Sequence, residues 1–474
     1  MLASSHFGVT RTADDDWFDT ILDVDTELFV DPFLIFKDES ASWADAHDAL
    51  IAHFDSAFML IAQGNRQPTS LPYRKAVDLL IFKEPHELCL GYTARGTHGA
   101  GSGRGFAKAI AAAISEAITR GLDRPSHFEE LGILRRGIGP DRISDATCTI
   151  LKPRLISYTQ AIAARHAIDL RPYRLYGAGF DQQRQRFRTE LVNLPTNPIT
   201  NGPLLFVPER FLDELPTIND EDWWKHYEAE RLRDDLNYEI LGKVSKEKIV
   251  AAARQNPESV RNWSHAQEAQ PAKPYDMQRD RKGVVRWEEA TNAFALSSPL
   301  AITPPTNSSQ FDEVIEHVIA KFRLFVEQQG GWRLLWDRAG EKEELAAQLL
   351  FYGIARNYCE ANNVVVSREV ELGRGPVDFT FSNGYSERAH LEVKKLHNGK
   401  FWNGLDRQLP SYMASDEVDK GWFVALRYRN GRKWDGRETA LPSRVQAAAQ
   451  AHRCDLRAVL IDARSQVSAS RLSL

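Results

Sequence analysis

Between residues 364 and 395 the chain holds three short runs in which apolar and polar side chains alternate, separated by glycine-bearing turns. They are VVVSREVE (364–371), PVDFTFS (376–382) and AHLEVKK (389–395). Alternation of period two is the pattern of a strand with one covered face, and Gly373-Arg374-Gly375 and Ser382-Asn383-Gly384 are turn signals. Strands joined this closely run antiparallel, as a meander. Helical periodicity precedes them at 311–328 and 341–361. A helix is predicted over 403–416, a strand over 421–428 (GWFVALRY), a helix over 441–452 and a strand over 456–462 (LRAVLID). This order reads as a small α/β unit.

At 474 residues the chain exceeds what one hydrophobic core serves, so two or three domains are expected. The clearest break is 297–310, SSPLAITPPTNSSQ, uncharged and carrying two adjacent prolines. Residues 311–474 are then the α/β unit, and residues 1–296 a larger α/β or mainly helical region of unknown fold. Residues 310–474 carry 24 Lys+Arg and 22 Asp+Glu, a balance of +2. The total is −5, so the balance before residue 310 is −7. Such a charge argues against electrostatic coating of nucleic acid and leaves room for a local basic groove. A hydrophobic content of 43% excludes wholesale disorder. No apolar run approaches the ~20 residues of a membrane span, and the N-terminus lacks the pattern of a signal peptide. The four cysteines form no Cys-x-x-Cys pair. A reduced, cytoplasmic protein with no membrane association is the expectation.

Several N-terminal segments invite a reading. Residues 20–36 read as strand-like pieces broken at Asp31-Pro32, 106–122 as a helix, 221–254 as charged helix, and 255–297 as irregular structure. Asp23, Asp25 and Asp31 read as turn and loop residues rather than a cation site. GYTARGTHGAGSGRG (91–105) reads as a loop whose glycines permit tight turns, with a phosphate contact as the alternative. Gly137 to Asp145 reads as a turn into a helix capped at Ser144 or Asp145. RPYRLYGAGFDQQRQRFR (171–188) interleaves arginines with aromatics; Arg184, Arg186 and Arg188 are nucleic-acid contacts on one reading and a solvated surface on the other.

The residues that bear chemistry lie in the second and third strands. Glu392 and Lys394 are two apart and share a face. If the strands pair, Asp378 approaches Glu392. Two carboxylates so close repel unless they share a hard divalent cation. A neighbouring lysine can orient water or stabilise charge developing on a phosphate. Those are the parts of metal-assisted phosphodiester hydrolysis. No His-x-x-x-His pair and no Gly-x-Ser-x-Gly elbow competes with this reading.

Pro376-Val377-Asp378 followed by Glu392-Val393-Lys394 resembles the PD-(D/E)XK nuclease superfamily, which implies the restriction-endonuclease-like fold, an α/β mixed sheet flanked by helices. Gln408-Leu-Pro-Ser-Tyr412 and the helix EKEELAAQLLFYGIARNY, with Glu344 and Gln348 four apart, resemble its exonuclease-type branch. The resemblance covers about residues 340–430. It implies Mg²⁺ (or Mn²⁺) held by Asp378, Glu392 and Glu344, with Glu343 as the alternative to Glu344. It implies that Lys394 orients the attacking water, that Gln408 and Tyr412 shape the site, and that Arg374 and Lys395 contact nucleic acid. Arg368 to Phe379 also looks like nuclease domains of bacterial antiphage defence proteins. That implies DNA as substrate, RNA as the second choice, a protein partner from the same system, and homo-oligomer formation as a further expectation. Two rival readings stay open. One is a decayed nuclease fold that binds without cutting; the other is an N-terminal phosphate or nucleotide sensor acting through the glycine loop.

Overall fold

The computed structural model describes residues 1–91, 102–121, 124, 126–181, 183–234, 245–300, 303–337, 340–371, 376–384 and 387–466. They fall into two units that meet between Tyr275 and Asp276. No helix among the described residues is long and apolar enough to cross a membrane.

The first unit is mainly helical. Helices Ala46–Gln63, Leu71–Leu79 and Ser102–Thr119 pack on one another. Phe106, Ile110 and Ile114, four apart on the last of these, are buried there with Leu50, Phe54 and Ile61. Strands Arg171–Asp181 and Arg186–Leu194 form an antiparallel hairpin against helix Lys152–Arg165. Three expectations are corrected. Asp31-Pro32 does end a strand, the two-residue Phe29–Val30, but no strand piece follows: the short helix Pro32–Phe36 does, with Pro32 in the first turn and the Asp31 carboxylate accepting from Phe33 N at 3.0 Å. Helix Pro140–Ile150 begins after Gly139, so Ser144 and Asp145 lie inside it, and Ser144 Oγ instead accepts from Val30 N at 3.0 Å. Residues 255–297 are not irregular: they contain helices Pro257–Glu268 and Trp287–Ser297.

In the second unit we label the helices α1 (Trp287–Ser297), α2 (Ser308–Gln328), α3 (Glu344–Ala361), α4 (Leu409–Ser415) and α5 (Arg432–His452). The strands are β1 (Val365–Glu371), β2 (Pro376–Asn383), β3 (Glu387–Lys395), β4 (Lys420–Arg427) and β5 (Asp455–Asp462). They form one mixed sheet in the order β5-β4-β3-β2-β1. β1, β2 and β3 are an antiparallel meander; β4 and β5 add parallel to β3 through helical crossovers. The parallel additions bury the middle strands on both faces, and Phe423, Val424, Ala425 and Leu426 of β4 are all fully buried.

This unit begins some twenty residues before the proline-rich segment. Helix α1 packs on α3, ahead of the expected joint. Gly353 of α3 lets it in: a Cβ there would stand 2.2 Å from Thr291 Oγ1. Glu288, fully buried, sets its carboxylate oxygens 2.6 and 2.7 Å from Arg356 Nη2. Asp280, also buried, accepts from the backbone N–H groups of Val284, Val285 and Arg286 just before α1. The polar composition of 255–297 hid helices whose stability comes from tertiary contacts.

Candidate active site

The β2–β3 ladder runs from Asn383↔Glu387 to Phe379↔Leu391 and ends there. Beyond its end Val393 N donates to Asp378 Oδ2 at 2.7 Å, so a carboxylate takes the place of a strand carbonyl. That bond ties Asp378 to β3 beside Glu392 and Lys394.

Lys394 Nζ lies 3.0 Å from Glu392 Oε1 and 3.0 Å from Glu344 Oε1. Glu344 opens α3, and its other oxygen, Oε2, accepts from Lys395 N at 2.9 Å and Asn398 Nδ2 at 3.2 Å. The register of this helix is thereby settled for the contacts: Glu344 reaches the cluster, while Glu343 is the exposed residue ahead of the helix. Gln348, one turn along, is close enough to Asp378 to help hold its carboxyl down against burial.

Three carboxyl groups surround one ammonium in a place largely closed to water. Glu392 is 2% exposed, and its Oε2 has no hydrogen-bond partner. Burial is the largest cause raising the Glu392 pKa, and the negative Asp378 adds to it. Asp378 is raised as well, chiefly by burial, against the opposing pull of Lys394 and the Val393 N–H. For Lys394 burial acts downward, but Asp378, Glu392 and Glu344 outweigh it and hold the ammonium charged. One lysine cannot balance three carboxylates, and burial raises both Asp378 and Glu392, so this pair favours holding a proton.

The helical segment after β3 covers this cluster. A Cβ on Gly404 would lie 3.3 Å from the Phe423 ring and 3.4 Å from the Lys394 stem, so glycine permits the approach. Residues Gly404–Gln408 are wound as a π-helix ahead of α4. Pro410 has no N–H to offer the Asp406 carbonyl, which faces His452 Nε2 at 3.0 Å instead. Gln408 is on this turn, with a buried Oε1 that has no partner. Tyr412 is 6% exposed, packed in the apolar cluster of Phe401, Leu409, Met413 and Phe423.

Lys395 turns its ammonium to the Lys342 carbonyl and over the Tyr428 ring, 5.0 Å from its centroid. Arg374 and its glycine turn lie outside the described residues, as do Arg95, His98 and Gly101 of the N-terminal glycine-rich stretch; Gly103 is in helix Ser102–Thr119. Arg184, Arg186 and Arg188 are exposed on the hairpin of the other unit. Arg188 pairs with Glu190 at 2.8 Å, and Arg186 stands opposite Asp181. Glu190 falls just past the run that reads as rich in unbalanced arginine. Gln348, paired with Glu344 in the sequence, joins the site, as do Asn398 and Gly404, which carry no signal of their own. Gln348 could be seen on the Glu344 face of the helix; the other two are loop or turn residues in sequence.

Among the described residues no three His, Cys, Asp or Glu side chains are gathered as a metal-holding group. Glu344 has both oxygens engaged, which leaves Asp378 and Glu392. A hard cation such as Mg²⁺ takes one or two protein carboxylates and completes its shell with water and phosphate oxygens. The unpartnered, buried Glu392 Oε2 beside Asp378 fits that demand. Residues 311–430, which contain the whole cluster, match a family model described as a domain of unknown function (DUF8371). Residues 8–219 match another, a domain of unknown function (DUF8370). No curated protein and no solved structure matches the chain.

Proposed function

We propose that the second unit hydrolyses phosphodiester bonds with the help of a divalent cation, as a nuclease of PD-(D/E)XK type. DNA is the favoured substrate, and defence against phage is the favoured setting. One observation carries the reading: Asp378, Glu392 and Lys394 meet at the end of the β2–β3 ladder with a buried carboxylate oxygen left unused. Asp378 and Glu392 would hold the cation, which supplies Lewis-acid stabilisation of charge on the phosphoryl oxygens. Lys394 presents an ammonium to the same place; released from Glu392, it can orient a water and hydrogen-bond the developing charge. Glu344 positions Lys394 through its 3.0 Å contact and is itself anchored by Lys395 N. Gln408 sits on the π-turn above, where its free Oε1 can accept from substrate or water.

The experiment is cleavage of plasmid, linear DNA and RNA with and without Mg²⁺, using Lys394→Ala and Asp378→Ala as controls. Metal-dependent cleavage by the parent that both variants lose, with unchanged folding, is the expected result. Cleavage retained in both variants removes the site assignment.

A further inference from the structure

The first unit carries a basic groove away from its arginine-rich hairpin. It consists of two cavities of about 460 and 840 Å³. Arg135, Arg136 and Arg254 line the smaller and Arg120 and Arg261 the larger. The cavities adjoin where Arg120 Nη1 donates to the Arg254 carbonyl. Two glutamates share the lining, Glu247 and Glu258, and with Glu116 counted five arginines face three carboxylates. Glu116, behind them, lies 3.3 Å from both Arg120 Nη2 and Arg254 Nε. This occurs in a part of the chain whose balance is −7 over residues 1–309.

Carbonyl oxygens orient Arg254 and Arg261, and Arg120 and Arg254 share the single carboxylate of Glu116. Arg254 Nε donates to Leu134 O at 2.9 Å and Arg261 Nη2 to Arg124 O at 2.7 Å. Arg136 is paired with Glu247 at 2.5 Å, whereas no carboxylate pairs with Arg135 among the described residues. The first turn of the twelve-residue helix Pro257–Glu268 lies in the larger cavity, and Ser259 and Asn262 line it there. Fixed guanidinium forks are suited to phosphate oxygens. Together the cavities exceed the roughly 300–1,000 Å³ of a small-molecule site, which favours a polymer.

We infer that this groove binds the sugar–phosphate backbone of nucleic acid, Arg135 and Arg136 being contacts at one end and Arg120 and Arg261 at the other. The choice of nucleic acid among phosphate polymers rests on the nuclease reading. The test uses the full chain carrying Asp378→Asn, in EDTA, and follows anisotropy of a fluorescent oligonucleotide across a salt series. The double change Arg135→Glu, Arg136→Glu should weaken binding on the order of tenfold and lower the slope of log affinity against log salt by about 2. Unchanged affinity and slope, in a variant with the parent's thermal midpoint, overturn the inference. If the double variant does not fold, Arg135→Gln serves: a slope lower by about 1 supports the groove and an identical slope removes it. Displacement of the oligonucleotide by micromolar mononucleotide or inorganic phosphate would overturn the backbone assignment in favour of a small-ligand site. The two proposals fail separately. A parent chain that binds through these arginines but never cuts keeps the groove and loses the nuclease. A chain that cuts while the groove variants bind like the parent does the reverse.

Discussion

Asp31 in the first unit and Asp378 in the second are both acids whose pKa burial raises, yet they are held in different ways. Asp31 accepts from Phe33 N at 3.0 Å, Thr217 N at 2.8 Å and Thr217 Oγ1 at 2.6 Å. Burial pushes it up to about 6 in spite of those donors. Its neighbour Glu129 is raised by burial first and by Asp31 next, with no cation among the causes. Asp378 has one backbone donor, a buried glutamate with an unused oxygen beside it, and a lysine between them. The first arrangement joins two chain segments and has spent the lone pairs of Asp31 on doing so. The second keeps acceptor capacity in reserve next to a positive charge, so its proton can be exchanged for a cation.

The largest expected effect separates the two on activity. Lys394→Ala and Asp378→Ala should each lower Mg²⁺-dependent cleavage by about 10³-fold or more, whereas Asp31→Asn should cut at nearly the parent rate. An Asp31 variant that folds and does not cut would break the division between structural and chemical acids.

Stability comes next. Asp31→Ala leaves three donors unsatisfied, two of them backbone, and should cost about 2–3 kcal/mol in chemical denaturation. Glu288→Ala should cost about 3 kcal/mol, because Arg356 is then left mostly buried without its partner. A parent-like midpoint for Glu288→Ala would detach α1 from the second unit.

The pH dependence sharpens the contrast further. Glu392 and Asp31 are both raised, so each contributes stability that is present below the ordinary carboxyl range and lost as pH rises through the folded value. Cations bind the deprotonated form, so Mg²⁺ should raise the thermal midpoint more at high pH than at low pH. In Glu392→Gln that Mg²⁺ shift should vanish while the loss contributed by Asp31 remains. A Mg²⁺ shift that survives the change, or that grows as pH falls, would place the cation elsewhere. The smallest effect is local: Gly404→Ala must press on Phe423 and the Lys394 stem, and about 1 kcal/mol of destabilisation with reduced turnover is expected.

Legibility in the sequence follows the range of the interactions. The strands of the second unit are within a residue or two of where period-two alternation places them, and β1–β3 form the meander their short turns require. The same alternation sets Glu392 and Lys394 on one face. Helix α5 was legible only in its C-terminal half, because Arg432 to Thr439 is charged and exposed along much of its length. The helices in 255–297 escaped for a related reason: buried Glu288 and Asp280 look like surface residues until their partners Arg356 and the 284–286 backbone are in place. The arginine groove was invisible, since its residues come from positions 120 to 261, whereas the conspicuous arginine run holds its own acidic partners.

The sequence by itself determined an α/β C-terminal unit, the strand faces and the pairing of an acid on β2 with an acid and a lysine on β3, because these depend on local periodicity and short turns. Only the tertiary structure decided where the ladder ends, and therefore that Val393 N–H is free to hold Asp378. It also decided that Glu344 spends both oxygens on β3 and its following loop, that Glu392 keeps one unused, and that the second unit starts at Asp276. Each of those outcomes depends on which polar group meets which partner in a buried place, and burial is a property of the packed chain rather than of any stretch of it.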